Sequence, residues 1–256
     1  MKPELFDLHA AVEEEHWWFV GRRRVMRTLL ADILPPGGTR TVVDVGCGTG
    51  ANIASLAGDY NVLGLDTSQE AIRSSQNRFP GVEFVCGRVP QDLGETARNV
   101  DAFLLMDVLE HVPDPRALLS AITNILKPGG YVLITVPADM RLWTEHDVNF
   151  GHYCRYDIAT LREVWKDLPV REHLVSYFNS RLYPIVYAIR KVTGWWKKPW
   201  GKAGSDLSVP PALVNTLLAR TFAGESRRLV KAITAPRLAY RKGVSIVAIL
   251  ERRAER

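Results

Sequence analysis

Three clusters of residues in this chain have types and spacings that could do chemistry. In TVVDVGCGTGAN, residues 41–52, Gly46, Gly48 and Gly50 alternate behind Asp44. Glycines there let the backbone take a positive φ and approach a ligand closely, and the helix start that follows offers free N–H groups to an anion. Asp66, about 20 residues on, is placed to accept from ribose hydroxyls. In WTEHDVNFGHYCRYD, residues 143–157, lie Glu145, His146, Asp147, His152, Arg155 and Tyr156. That set can supply a general base from His146 or His152 and an anion clamp from Arg155. The alternative is a capped loop whose histidines satisfy backbone groups. In DVLEH, residues 107–111, Asp107, Glu110 and His111 stand at i, i+3 and i+4. On one helix face they could converge on a divalent ion, or they could simply cap a strand-to-helix turn.

These clusters need a scaffold. Residues 3–34 show helical periodicity, with an acidic run Glu13–Glu15 ahead of Trp17, Trp18 and Phe19, and Pro35–Gly38 ends them. Short apolar, β-branched runs then alternate with helix-length segments. Strands are expected at Arg40–Val45, Asn61–Asp66, Val82–Cys86, Val100–Met106, Tyr131–Val136, Val170–Phe178 and Val244–Glu251. Helices are expected at Asn52–Ala57, Gln69–Arg78, Asp92–Ala97 and Arg116–Leu126, the second of them capped from Thr67-Ser68. Such alternation predicts an α/β, doubly wound sheet with right-handed crossovers. An open parallel sheet binds its ligand at the carboxyl ends of its strands, where the glycine turn lies.

That turn fits two nucleotides. Gly46, Gly48 and Ala51 satisfy G-x-G-x-x-G/A, the dinucleotide fingerprint, while Asp44 to Gly50 spell D-x-G-x-G-x-G. Three features favour S-adenosylmethionine. Asp44 puts a carboxylate beneath the turn, suited to an amine and a sulfonium. Gly50 opens the helix start to the methionine carboxylate. No second glycine fingerprint follows a later strand. VVDVGCGTG, GLDTS, DAFLLMDVLEHVPDP and LKPGGYVLITVP also occur in the order and spacing of class I S-adenosylmethionine-dependent methyltransferases. Over residues 38–137 the chain most resembles the methyltransferase type 11/23 branch, which includes the ubiquinone-biosynthesis O-methyltransferases. The resemblance implies a Rossmann-like seven-stranded sheet whose last strand is antiparallel. It puts Asp44, Gly46, Cys47, Gly48 and Gly50 at the methionine end and Asp66 at the ribose. Thr67 and Ser68 would lie beside the adenosine, Gly87, Arg88 and Val89 at the adenine edge, and Met106 and Asp107 facing the transferred methyl. Arg88 departs from the acidic residue many relatives have there. Some relatives hold a divalent ion at E-x-x-E-H. Asp107 replaces the first glutamate of that element, so the expected cofactor is S-adenosylmethionine, with a divalent metal the less favoured addition. Asp107, Glu110 and His111 are the residues that would hold a metal, with His146 or His152 as the extra ligand.

The sulfonium is already activated, so transfer needs alignment, and a hydroxyl acceptor also needs a base. The 143–157 loop follows the fifth strand, so it should hang over the methyl. His146, His152 and Tyr156 are its candidate catalytic groups, and Trp143, Arg155 and Tyr156 its candidate acceptor contacts. Trp17 or Trp18 could wall the cofactor site or pack on the sheet edge.

Charge is uneven along the chain. From Asn179 to the end there are 16 Lys+Arg against 4 Asp+Glu, net +12; the remaining 178 residues hold 17 against 24, net −7. The basic part, an insert before the last strand, carries RLYPIVYAIRKVTGWWKKPW and SDLSVPPALVNTLLARTF. Aromatic rings beside cations suit an anionic membrane surface, here through residues 181–202. The insert is read as a cap admitting an amphiphilic or lipid-linked small molecule. A helical lid or dimer surface over a polar metabolite or glycan is the alternative. Nucleic acid is not expected, since no RNA-binding module appears, and a non-catalytic cofactor-binding scaffold ranks last because the glycine turn and Asp66 are intact. The expected units are a helical cap over residues 1–36, a cofactor-binding core over 37–178, a substrate cap over 179–239, and a last strand and tail over 240–256. No run reaches the ~18–20 apolar residues of a membrane span, and Cys47, Cys86 and Cys154 form no disulfide framework. With no basic-then-apolar leader pattern, the expected location is the cytoplasm, with peripheral membrane contact.

Overall fold

A computed structural model describes residues 9–37, 39–196, 208–233, 235 and 238–254. The apolar runs become β1 (Thr41–Val45), β2 (Asn61–Asp66), β3 (Glu83–Cys86), β4 (Ala102–Met106), β5 (Tyr131–Pro137), β6 (Val170–Phe178) and β7 (Ser245–Arg252). They form one seven-stranded sheet in the order β3-β2-β1-β4-β5-β7-β6. β7 is antiparallel to both β5 and β6, and the other pairings are parallel. Alternate strand residues serve opposite faces, so a doubly covered sheet reads as continuous hydrophobic runs. Val43, Phe103 and Ile134 join one core with Leu119, Ile122 and Leu161. Val42, Leu104 and Leu133 join the other with Val25, Leu29 and Leu229. Between β1 and β4 the strand order reverses, which opens a crevice at the carboxyl ends.

The helices are α1 (Trp17–Ile33), α2 (Ala51–Ala54), α3 (Gln69–Arg78), α4 (Pro115–Ile125), α5 (Glu145–Phe150), α6 (Ile158–Trp165), α7 (Tyr183–Trp196), α8 (Ala212–Ala223) and α9 (Ser226–Ile233). Three expectations need correcting. The segment expected as a helix over 52–57 is helical for only four residues, and the one over 92–97 is a 3-10 turn at Gly94–Asn99. Gly94 at φ 54° starts that turn from a backbone unsuited to an α-helix. DVLEH is no α-helix either. Asp107 sits at φ 60° and only Leu109–His111 form a 3-10 turn, so the i, i+3, i+4 face does not exist.

Helix α1 and helix α8 of the insert pack against each other as a roof. The Asn215 Oδ1 of α8 accepts from Trp17 N at 2.8 Å, and its Nδ2 donates to Glu15 O at 2.7 Å. A Cβ on Gly21 of α1 would lie 2.5 Å from the Phe222 ring of α8, so the two helices meet where glycine permits it. Residues 197–207 of the insert, including most of GWWKKPW, lie outside the described residues. No described helix is long and apolar enough to cross a membrane.

Candidate active site

A cavity of about 1340 Å³ opens at the carboxyl edge of the sheet, larger than the usual single-ligand pocket. Gly46, Cys47, Gly48 and Thr49 form one wall, and Asp66, Thr67, Arg88, Val89, Met106 and Asp107 continue it. The turn is braced by Asp66, whose Oδ2 accepts from Gly48 N at 2.9 Å and Oδ1 from Ser68 N at 2.8 Å. One carboxylate thus holds the two loops between which a ribose would sit. Asp44 lies beneath, fully buried, with neither oxygen hydrogen-bonded among the described residues. Burial lifts its carboxyl to about 8 against the opposing pull of Arg22. Gly50 departs from expectation: it does not line the cavity. At φ 91°, a Cβ there would lie 2.8 Å from Phe84 and from Ser75, so packing behind the turn requires the glycine.

The end of the cavity at Met106 and Asp107 contains an ion pair that crosses from the roof. Arg22 of α1 donates Nη1 to Asp107 Oδ2, while Thr135 Oγ1 holds Oδ1 at 3.1 Å. The Arg22 guanidinium stacks over Trp18 at 4.3 Å and is 5% exposed, with burial lowering its pKa to about 10. His9, Glu13, Trp17 and Trp18 also line the cavity, so both tryptophans wall the site as well as packing on the core.

Opposite stands the 143–157 loop, organised by the buried Asp147. It accepts from His152 Nδ1 at 3.0 Å, Arg155 Nε at 2.8 Å and Thr144 N at 2.9 Å. Burial alone would raise the Asp147 pKa, but these partners pull it below the ordinary range. An ionised carboxylate only accepts, so His152 donates from Nδ1. His146 stacks on Phe150 at 4.3 Å, and burial followed by the charge of Arg190 lowers it to about 3. Both histidines and Arg155 line the cavity.

Two of the loop's candidate catalytic or acceptor residues do not. Tyr156 is 6% exposed in the core beneath, its hydroxyl donating to Leu109 O at 3.2 Å, and burial raises its pKa far above the usual value. It is a packing residue, not a base or an acceptor contact. Trp143 is half-buried and absent from the lining. Arg155 keeps its place but not its free charge, since Asp147 and Ala138 O occupy its nitrogens. Asp107, tied to Arg22, is likewise no part of the metal-sized group, which is Glu110, His111 and His152 with ligand atoms within 4.8 Å of one another. Glu110 fits that role: it is buried, both oxygens lack hydrogen bonds among the described residues, and desolvation raises it to about 8.

The sequence did not single out Arg22 or Asp147. A signal existed for each. Arg22 falls on the buried stripe of α1 with Val25, Met26 and Leu29, a place where a charge needs a partner. Thr144 and Asp147 form a capping box, which buries the carboxylate beside the histidines.

A family profile described as a methyltransferase domain matches residues 19–181. The ubiquinone biosynthesis O-methyltransferase of Neisseria meningitidis serogroup C (strain 053442) is 35% identical over 104 residues, 38% of this chain and 43% of that protein. The trans-aconitate 2-methyltransferase of Azoarcus sp. (strain BH72) is 34% identical over 119 residues, 45% of this chain and 46% of that protein. The match spans less than half the length of these relatives. Among solved structures, a chain of the complex between the Haloferax volcanii Trm112 methyltransferase activator and a methyltransferase has a TM-score of 0.60. It is 20% identical, with 97% of this chain and 98% of that chain covered. The profile covers more than half of the chain, and this chain belongs to the class I S-adenosylmethionine-dependent methyltransferases.

Proposed function

We propose that the chain transfers the methyl of S-adenosylmethionine to an oxygen of an amphiphilic or lipid-linked small molecule. The observation that carries the acceptor class is the wall facing the methyl end. Leu182, Ile185, Val186 and Ile189 of the α7 region and Val214 and Leu218 of α8 line it. An apolar slot stabilises an apolar acceptor at roughly 25 cal/mol per Å² removed from water. The names of the relatives are divided between a quinone precursor pathway and a polar acid, so this chain's own wall weighs more. In this reading Asp44 and the backbone of the glycine turn hold the methionine end, Asp66 the ribose, and Arg88 and Val89 the adenine edge. Met106 and Asp107 face the methyl. His152 Nε2 takes the hydroxyl proton as the acceptor oxygen attacks the methyl carbon. The carbon–sulfur bond breaks in line, leaving a neutral thioether. Asp147 stabilises the imidazolium that forms.

Glu110, His111 and His152 support a second reading, in which they hold a divalent cation; when bound, it would lower the pKa of an acceptor hydroxyl. His152 would then be a ligand, not the base.

The roof also suits a membrane surface. Ile185 (55% exposed) lines the cavity, Leu213 (88%) and Leu217 (65%) are exposed on α8, and Lys191 and Arg220 lie on the same helices. Cations add about 1 kcal/mol each near an anionic surface.

The test uses methyl-labelled S-adenosylmethionine with an extract of the source cells, partitioned between organic solvent and water. Label in the organic phase is expected; label only in the aqueous phase sinks the amphiphilic acceptor. Repeating the assay after exhaustive chelation separates the readings, since undiminished transfer ends the metal one.

A further inference from the structure

We propose that Asn179 anchors the polar group of the acceptor, a group that both donates and accepts hydrogen bonds, such as a hydroxyl beside a carbonyl. The inference rests on the methyl-transfer reading above. Asn179 follows β6 at the carboxyl edge and lines the cavity. It is 0% exposed, and neither Oδ1 nor Nδ2 has a hydrogen-bond partner among the described residues. A buried amide left unpaired is costly and uncommon, and in a ligand cavity the missing partner points to the ligand.

The backbone is built to keep the amide there. Asn179 is held at φ 51°, in the left-handed region that asparagine tolerates. Glu225 Oε1 accepts from Ser180 N at 2.8 Å and Arg181 N at 2.7 Å, pinning the next two residues from the roof. On the other side Ser180 Oγ donates to Lys242 O, and a Cβ on Gly243 would lie 2.3 Å from Phe178 O, so the strand ends are locked together. A fixed backbone with a two-way hydrogen-bonding side chain is how a mostly apolar pocket orients one ligand group.

The discriminating substitution is Asn179→Gly, because glycine accepts the same φ and removes only the amide. Asn179→Asp, which also tolerates this backbone and loses the Nδ2 donor, is the second variant. Cell extract, titrated against labelled cofactor, serves as the acceptor source, and S-adenosylhomocysteine binding is measured by calorimetry. Expected is a roughly tenfold or larger rise in the half-saturating extract concentration in the Gly variant, with maximal rate and S-adenosylhomocysteine affinity unchanged. Wild-type saturation in both variants overturns the proposal. So does a loss of S-adenosylhomocysteine affinity equal to the loss in saturation, which would make the residue structural. The solvent phase that takes the label judges the amphiphilic reading separately, because the variant-to-wild-type comparison holds in either phase.

Discussion

His152 and His146 stand on the same loop, yet their surroundings give them different capacities. His152 is oriented by Asp147 at 3.0 Å, while His146 is held neutral by burial and stacks on Phe150. His152→Ala should cut the transfer rate by about 10²–10⁴-fold with S-adenosylhomocysteine affinity intact, whereas His146→Phe should cost less than about tenfold. Single-turnover rates read the difference, and equal losses would reverse the assignment. Asp44 makes a second residue-scale prediction. Its folded pKa, about 8, lies above the ordinary 3.8. The folded state therefore holds a proton that the unfolded state releases, and this stability is lost as pH rises towards 8. The histidines lowered to about 3 or 4 act with the opposite sign and only below about 6.5. Between pH 6.5 and 8, urea unfolding of the cofactor-free protein should lose stability. Asp44→Asn should remove roughly 1–2 kcal/mol of that fall.

At the scale of elements, the segment before α1 is latched over the glycine turn. Arg78 of α3 donates to Glu13 and, at 2.6 Å, to Glu14, and Thr49 Oγ1 donates to Glu13 Oε1 at 2.6 Å. Because Glu13 lines the cavity and is 6% exposed, this latch spans the edge of the proposed cofactor site. Among the described residues, Arg78→Ala leaves a buried carboxylate with only the Thr49 hydroxyl as hydrogen-bond partner, and truncating one partner of such a pair shows up in dissociation rates. S-adenosylhomocysteine should leave roughly tenfold faster, followed in stopped flow by the fluorescence of Trp17 and Trp18. An unchanged rate would mean that the segment is not a gate. The clamp of Asn215 on Trp17 and Glu15 couples this latch to α8, so the insert and the N-terminal segment should move together.

At the scale of the whole molecule, the negative first part carries six of the seven strands and α1, and the positive last part carries the insert helices and β7. In the membrane reading proposed above, that polarity would turn the roof towards an anionic surface. The protein should sediment with phosphatidylglycerol vesicles at low salt and much less in 0.5 M salt, by screening. The double variant Leu213→Asp and Leu217→Asp should bind several-fold more weakly without slowing transfer to a detergent-dispersed acceptor. Vesicle binding that ignores both salt and the double variant would remove the membrane from the account.

The strands, the turn of Gly46 and Gly48 and the place of Asp66 were legible from residues alone, because they depend on local periodicity and on backbone freedom at single positions. The antiparallel last strand came from the resemblance. Where a local rule met a tertiary demand, it failed. DVLEH has helical spacing, but the end of β4 turns Asp107 to φ 60° to meet Arg22, 85 residues away. Tyr156 looked like an acid-base group beside the histidines, and the pleat sent it into the core. Asn179 carried no signal at all, since an asparagine after a strand is ordinary until the roof removes its water. Sequence determined which segments could form a cofactor crevice; only the folded chain decided which side chains face it, because burial and partnership are set by residues far apart in the chain.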